Sequence, residues 1–147
     1  MKIASTRVET RVIQTRTWEE STHQVLVGKK IVGVVLLSKT QTSRNQVCAE
    51  FSSSKQTLTN FKKLLLPKRF TFIWVEIVKI QEHSRGRGYG SQIFNWMKAT
   101  YRNTLIGLHP KEIAADYDIN MILRFYKKQG FEISRFEYEW YGFLYLK

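Results

Sequence analysis

At 147 residues with a 43% apolar fraction, the chain is long enough to bury one core, and its composition argues against wholesale disorder. The formal charge of +12 is uneven: residues 1–70 carry 13 Lys/Arg against 4 Asp/Glu, or +9, and residues 71–147 carry 11 against 8, or +3. One cysteine, Cys48, excludes an intramolecular disulfide, and beside three scattered histidines (His23, His83, His109) it excludes a cysteine–histidine zinc pattern.

The basic first half attracts polyanions, whether nucleic acid, a nucleotide cofactor or an acidic protein face, and does not choose among them. The opening residues "MKIASTRVET" lack the apolar core of a secretory signal. Apolar runs such as "IVGVVLL" fall far short of the ~20 residues a membrane helix needs. With a lone thiol, this predicts a cytoplasmic protein with no membrane partner.

In chain order, residues 8–17, "VETRVIQTRT", alternate loosely as a strand, and "WEEST" follows as a turn. "HQVLVGKKIVGVVLLS" predicts a hairpin about Gly28-Lys29-Lys30. Residues 39–56 are polar, with an apolar island at Val47–Phe51 that could add a strand. "TLTNFKKLLL", stopped by Pro67, has helical spacing at Leu58, Phe61, Leu64 and Leu65. "FTFIWVEIVKI" is the strongest strand signal, nearly continuous as in a strand covered on both faces. Beyond a glycine-rich corner, Ile93, Trp96, Met97 and Tyr101 recur at helical spacing, and "TLIGLH" is a short strand closed by Pro110. "DINMILRFYKKQG" predicts a helix capped by Asp116 or Asp118, with Lys127 and Lys128 in its last turn and Gly130 just past its end. The aromatic tail "FEISRFEYEWYGFLYLK" supplies two final strands. The whole chain, 1–147, is predicted to be a single domain with a mixed sheet and helices on its faces.

The corner "SRGRGYGS" carries the chemistry. It is one short unit between a strand and an amphipathic helix, unlike a repetitive arginine-glycine tail. It lacks G-x-x-x-x-G-K-[ST], and Gly86, Gly88 and Gly90 are spaced G-x-G-x-G, one residue tighter than the dinucleotide fingerprint. Its physics is still that of an anion site. Glycines let backbone N–H groups converge without an obstructing Cβ. A helix starting near Tyr89 presents free N–H groups and the positive end of its dipole, and Arg85 and Arg87 add charge. A pyrophosphate fits such a corner; a tight turn without ligand is the alternative.

Arg85-x-x-Gly88-x-Gly90, between a long strand and a helix, resembles the acetyl-CoA loop [Q/R]-x-x-G-x-[G/A] of the GNAT superfamily of N-acetyltransferases. Upstream, Ile80 to Arg85 takes the place of the V-x-P-x-x-R often found there, with Glu82 where proline is usual. Downstream, "NMILRFYKKQGF" is similar to the family's N-x-x-x-x-x-Y-x-x-x-G-F helix end, with Asn120, Tyr126, Gly130 and Phe131 in matching positions. The resemblance covers residues 68–147 well, and residues 1–67 only as a run of strands.

The resemblance implies an α/β fold with a mixed, mostly antiparallel sheet flanked by helices, and acetyl-CoA as acetyl donor to an amine. It places pyrophosphate on Arg85, Gly86, Arg87, Gly88, Tyr89, Gly90 and Ser91. Pantetheine would lie along Val78 and Ile80 as a mock strand, with Asn120 and Tyr126 also against the cofactor. The Val78 amide takes the oxyanion position, and Tyr126 that of the general acid. Without the motif, Tyr126 would be an ordinary core tyrosine. Glu76 is the one acid on its strand, either the base that deprotonates the amine or half of an ion pair. In an unbroken strand it shares a face with Trp74 and Val78. His109 is a second candidate base.

The family's usual helix pair between its first two strands has no room here, and a helical insertion near 57–66 replaces it. The acceptor side is therefore open, built from residues 39–67, or completed by a second subunit, and aromatics in the final strands suggest a possible homodimer. An open basic mouth implies a macromolecular acceptor, a protein lysine or N-terminus, or the aminoacyl group of a charged transfer RNA. A small amine or antibiotic acceptor, or a non-catalytic module binding CoA or nucleic acid, is the alternative.

Overall fold

The computed structural model describes residues 1–13, 16–113 and 117–147. The first strand, β1 (Lys2–Ile13), starts earlier than the alternation at 8–17 indicates, and β2 (Arg16–Val27) follows almost directly. Trp18–Thr22 is strand, where a turn was expected. Its acids find cations across the sheet: Arg11 Nη1 donates to Glu20 at 2.8 Å and Lys39 Nζ lies 3.3 Å from Glu19. Trp18 packs edge-on against Phe72. Cross-strand pairing overrides the polar look of this segment.

The chain turns at Gly28 and Lys29 into β3 (Lys30–Ser43), completing the expected hairpin. The Val47–Phe51 island is not an added strand. It belongs to α1 (Arg44–Glu50), with Phe51 at its C-cap. The Ser43 hydroxyl accepts from the Gln46 amide at 3.1 Å, and Ser-x-x-Gln is a helix-start signal. The predicted insertion helix is α2 (Lys55–Leu64), capped by Ser54 and ended by Leu65 in a left-handed conformation ahead of Pro67. Then come β4 (Arg69–Ile80), α3 (Tyr89–Thr100), β5 (Thr104–Leu108), α4 (Pro110–Ile113), α5 (Ile119–Lys128), β6 (Glu132–Phe136) and β7 (Glu139–Leu146). Asp118 caps α5, accepting from the amides of Asn120 and Met121; the other candidate cap, Asp116, lies outside the described residues. Gly130, at φ +102°, stands just past the end of α5 as expected.

The seven strands run β1-β2-β3-β4-β5-β7-β6. Among the described residues all pairings are antiparallel except β4 with β5. A parallel pair needs a crossover, and α3 supplies it. This is the mixed, mostly antiparallel sheet with flanking helices that the sequence implies. The usual helix pair between the first two strands is replaced by α1 and α2 between β3 and β4.

Both faces of the sheet are covered. Ile73 and Val75 of β4 pack with Ile93, Phe94 and Met97 of α3 and with Ile122 and Tyr126 of α5. Phe70 and Phe72 of the same strand pack with Val47, Phe61, Leu105 and Phe143 on the face of α1 and α2. Strand alternation sorts the two sets.

That alternation is broken once in β4. Leu37 pairs with Val75 but Leu36 pairs with Ile77, so Glu76 is an extra residue, a β-bulge. Beyond it, Val78 and Ile80 join the α3 and α5 face. Gly33 lies opposite Ile80, where a Cβ would sit 2.5 Å from the Lys79 carbonyl oxygen. Gly33→Ala is expected to cost about 1–3 kcal/mol of stability through this overpacking. In hydrogen exchange the loss of protection should concentrate on the β3–β4 ladder; an unchanged thermal midpoint would refute the close approach.

Candidate functional site

The pairing of β4 with β5 ends at Val75 opposite Leu108. Among the described residues the rest of β4, Glu76 to Ile80, has no strand on that side, and the chain leaving β5 turns into α4. Backbone groups that point into this fork have no ladder partner there, and they are available to an extended ligand. The fork opens onto a cavity of about 590 Å³ lined by Val78, Ile80, Arg85, Gly90 and Tyr126 together with Ile113, Tyr117, Met121, Ile122 and Phe125. A tie between helices holds its walls: Lys98 Nζ on α3 donates to both the backbone oxygen and Oε1 of Gln129, just past α5, at 3.1 Å.

At one end of this cavity stands the glycine corner. Gly86 and Gly88 take φ +76° and +79°, and a Cβ on either would meet nothing within 4 Å. Conformation, not crowding by the protein, requires glycine at both positions. Gly88 is the N-cap of α3, and no side chain caps that helix, so its first amides face outward with the positive end of the dipole. From His83 to Lys111 the sequence has no Asp or Glu. The corner therefore fits a phosphate or pyrophosphate. Arg87 is exposed beside it. Arg85 also builds the corner, its Nε donating to the Ile80 carbonyl at 3.2 Å and its guanidinium lying 5.6 Å from the centre of the Tyr117 ring. Ser91 sits in the first turn of α3. Tyr89 packs against the core.

Tyr126 is 3% exposed, among the rings of Phe94, Phe125 and Phe131 at 5.4, 5.3 and 5.9 Å. Among the described residues its hydroxyl has no hydrogen-bond partner, yet no buried side-chain nitrogen or oxygen there lacks one. The hydroxyl must therefore reach open space, and the space Tyr126 borders is the 590 Å³ cavity. Burial raises its pKa well above that of a free tyrosine, which keeps the hydroxyl protonated as a hydrogen-bond donor.

The bulge corrects the expected placing of Glu76. It shares a face with Trp74 but not with Val78, and points away from the first cavity. With Trp74 it lines a second cavity, about 440 Å³, on the opposite face of the sheet. Ser38 Oγ donates to Glu76 Oε1 at 3.0 Å. The other walls come from Arg11 and Ile13 of β1, Arg16, Trp18 and Glu20 of β2, and Gln46, Glu50 and Phe51 of α1 and its cap. Arg11 pairs with Glu20 and Arg16 with Glu50. Of the expected origins for an acceptor side, residues 39–67 thus contribute part, and the β1–β2 ribbon the rest.

Of the residues singled out in the sequence, Val78, Ile80, Arg85, Gly90 and Tyr126 meet in one cavity and Glu76 lines the other. Asn120 departs from expectation: exposed in the first turn of α5, it lines neither. His109 lines neither; it is buried, 3.3 Å from a Glu139 oxygen and edge-on to Tyr141. Tyr117, Met121 and Phe125 escaped the sequence reading, although Met121 and Phe125 share the apolar stripe of α5. Among the described residues, no group of three His, Cys, Asp or Glu could hold a metal, and no helix is long and apolar enough to cross a membrane.

No family model and no curated protein matches the chain. Among solved structures, it is similar to Arabidopsis thaliana Naa50, seen in complex with the bisubstrate analogue CoA-Ac-MVNAL, at 16% identity and a TM-score of 0.47, over 83% of this chain and 69% of that one. It is also similar to an N-acetyltransferase from Staphylococcus aureus Mu50, at 16% identity and a TM-score of 0.44, over 84% and 68%. At those values the two likenesses say nothing of substrate. The chain's own sheet, mixed and mostly antiparallel with flanking helices, is the architecture implied by the two motifs.

Proposed function

We propose that this protein is an acetyl-CoA-dependent N-acetyltransferase that passes the acetyl group directly to an amine of a protein, a lysine side chain or an N-terminus. One observation carries the reading. A single bulged strand has an acid-free glycine corner and an open tyrosine hydroxyl on one side, and a carboxylate in a second cavity on the other.

Acetyl-CoA supplies the acetyl group as a thioester. The amides of Gly86 to Ser91 and the α3 dipole hold the pyrophosphate, and the free edge at Val78 and Ile80 holds the extended arm. The Val78 amide donates to the carbonyl oxygen as charge builds on it. Glu76, oriented by the Ser38 hydroxyl, takes the proton from the acceptor ammonium, directly or through water. The amine nitrogen then bonds to the carbonyl carbon, the carbon–sulfur bond breaks, Tyr126 gives its proton to the leaving sulfur, and the second proton that the nitrogen sheds as the amide forms returns through water to the tyrosinate.

The acceptor class follows from the second cavity. About 440 Å³ takes a side chain or a chain terminus, so the body of a larger acceptor rests on the surrounding surface. That surface belongs to the half of the chain carrying +9, which suits acidic surroundings. Trp18, Phe51, Phe72 and Trp74 wall the cavity around the carboxylates, a setting for an alkyl stem ending in a cation.

Calorimetry with acetyl-CoA, followed by thiol release with pooled peptide, polyamine and aminoacyl-tRNA acceptors, tests the whole reading. Peptide-dependent release supports it. Failure to bind acetyl-CoA, or binding without release across all pools, overturns it. Gly88→Val should weaken acetyl-CoA binding by about tenfold or more, ~1.4 kcal/mol. Gly28→Val places equal strain in the β2–β3 turn, at φ +63°, and should leave that affinity unchanged. Tyr126→Phe should keep thermal stability and cofactor affinity, because the hydroxyl bonds to nothing in the chain, while turnover falls about a hundredfold. Glu76→Gln should cut turnover by a similar factor near neutral pH and recover part of it at higher pH, where free amine becomes abundant; a flat pH–rate comparison with the wild type would remove Glu76 as the base.

A further inference from the structure

The outermost strand, β1, pairs with β2 on one side and, among the described residues, with no strand on the other. An edge of this length exposes a row of backbone donors and acceptors to any strand that can match it. Its apolar residues are turned outward: Val8 is 57% exposed, Val12 70% and Ile13 44%. A bulge between Ser5 and Arg7 interrupts the ladder, and beyond it Arg7 to Ile13 pairs regularly with β2. The centre of this regular stretch is Thr10.

About Thr10 the sequence is self-complementary. Residues 8–12 read V-E-T-R-V. When two copies of the strand run antiparallel with Thr10 facing Thr10, Val8 of each lies opposite Val12 of the other, and Glu9 of each opposite Arg11 of the other. Arg7 then lies opposite Ile13, its aliphatic stem against the isoleucine. Shifting the register by one residue, so that Glu9 is opposite Thr10 of the other copy, places each Val8 against Arg11 and dissolves both matches. Opposite charges and β-branched pairs directly across a ladder stabilise it, and like charges there destabilise it. Val8, Thr10 and Val12 share one face, and Arg7, Glu9, Arg11 and Ile13 share the other.

We propose that two copies of this chain join edge to edge through Arg7–Ile13 of β1, about a two-fold axis at Thr10, into one continuous fourteen-stranded sheet, twice the seven of each copy. The pairing carries a consequence for the second cavity. Arg11 and Ile13 line that cavity, so the opposing strand brings Glu9 and Arg7 of the other copy to its rim. Arg11, which pairs with Glu20 at 2.8 Å in its own chain, then stands between two carboxylates, one from each copy. Glu9, paired with Arg7 in the single chain, gains Arg11 of the other copy. Neither the axis nor the pairing depends on what reaction the cavity serves, so an inactive protein would leave this inference standing.

Light scattering on the full chain, across a dilution series, tests it. The wild type should be dimeric and dissociate on dilution. Glu9→Arg sets arginine against arginine and Arg11→Glu sets glutamate against glutamate, and each variant alone should be monomeric where the wild type is dimeric. In a mixture of the two variants both cross-strand pairs are opposite in charge, and the dimer should return as a mixed species. For folded-state independence, Thr10→Cys places a thiol against its own copy and should cross-link under mild oxidation, whereas Thr59→Cys on the exposed side of α2 should not. A wild type that is monomeric throughout, a dimer unaffected by either charge reversal, or no preference for cross-linking at Thr10 over Thr59 overturns the proposal.

Discussion

One added residue in β4 organises the molecule. In an unbroken strand Trp74, Glu76 and Val78 would all face the same way, and Val78 would be lost from the cavity beside Tyr126. The bulge leaves Glu76 on the face of Trp74 and turns Val78 and Ile80 to the face of α3 and α5. It lies just past the last residue paired with β5, so the reversal of facing and the opening of the fork coincide. A bulge gives up regular ladder geometry and adds twist. Here the cost is offset nearby: pairing with β3 resumes through to Gly33 opposite Ile80, and Ser38 bonds to the displaced carboxylate.

A second departure, the position of the helix pair, accounts for much of the rest. With almost nothing between β1 and β2, those strands form a long ribbon whose outer edge nothing pairs with. With α1 and α2 placed between β3 and β4, the face around Phe72 and Trp74 gains a cover reaching only part of the way. The second cavity lies in the remainder, between α1 on one side and the ribbon on the other. Cavity and bare edge thus share one topological cause, which is why β1 residues appear in both.

The central part of this arrangement was legible. "FTFIWVEIVKI" announced a strand covered on both faces, and the Arg85–Gly90 spacing with the Tyr126–Gly130–Phe131 helix end placed a glycine corner opposite an aromatic helix. These signals are local, set by backbone conformation or by a single helix stripe. What escaped depends on partners distant in sequence. "WEEST" looks like a turn until Arg11 and Lys39 stand across from its acids. Val47 looks like strand until Ser43 and Gln46 are read as a helix start. The bulge has no local marker at all, being a mismatch between Leu36–Leu37 and Val75–Ile77. Asn120 matched its motif position, yet on α5 it is exposed and lines neither cavity, while Met121 and Ile122 beside it line the first.

The two cavities also constrain what kind of transfer the site can perform. A route through an acyl-enzyme needs a nucleophilic hydroxyl or thiol within reach of the donor. Among the described residues no serine, threonine or cysteine lines the cavity beside the glycine corner, and Cys48 sits on α1, on the other face of the sheet. The tyrosine there keeps its proton through burial, so it is poor as a nucleophile and presents a hydrogen-bond donor to the cavity. In the cavity across the strand the Ser38 hydroxyl is engaged with Glu76, and that carboxylate is placed to prepare an amine. In the proposed direct transfer both substrates would meet on β4, entering from opposite faces, and the strand that separates the cavities would also position the two reacting groups.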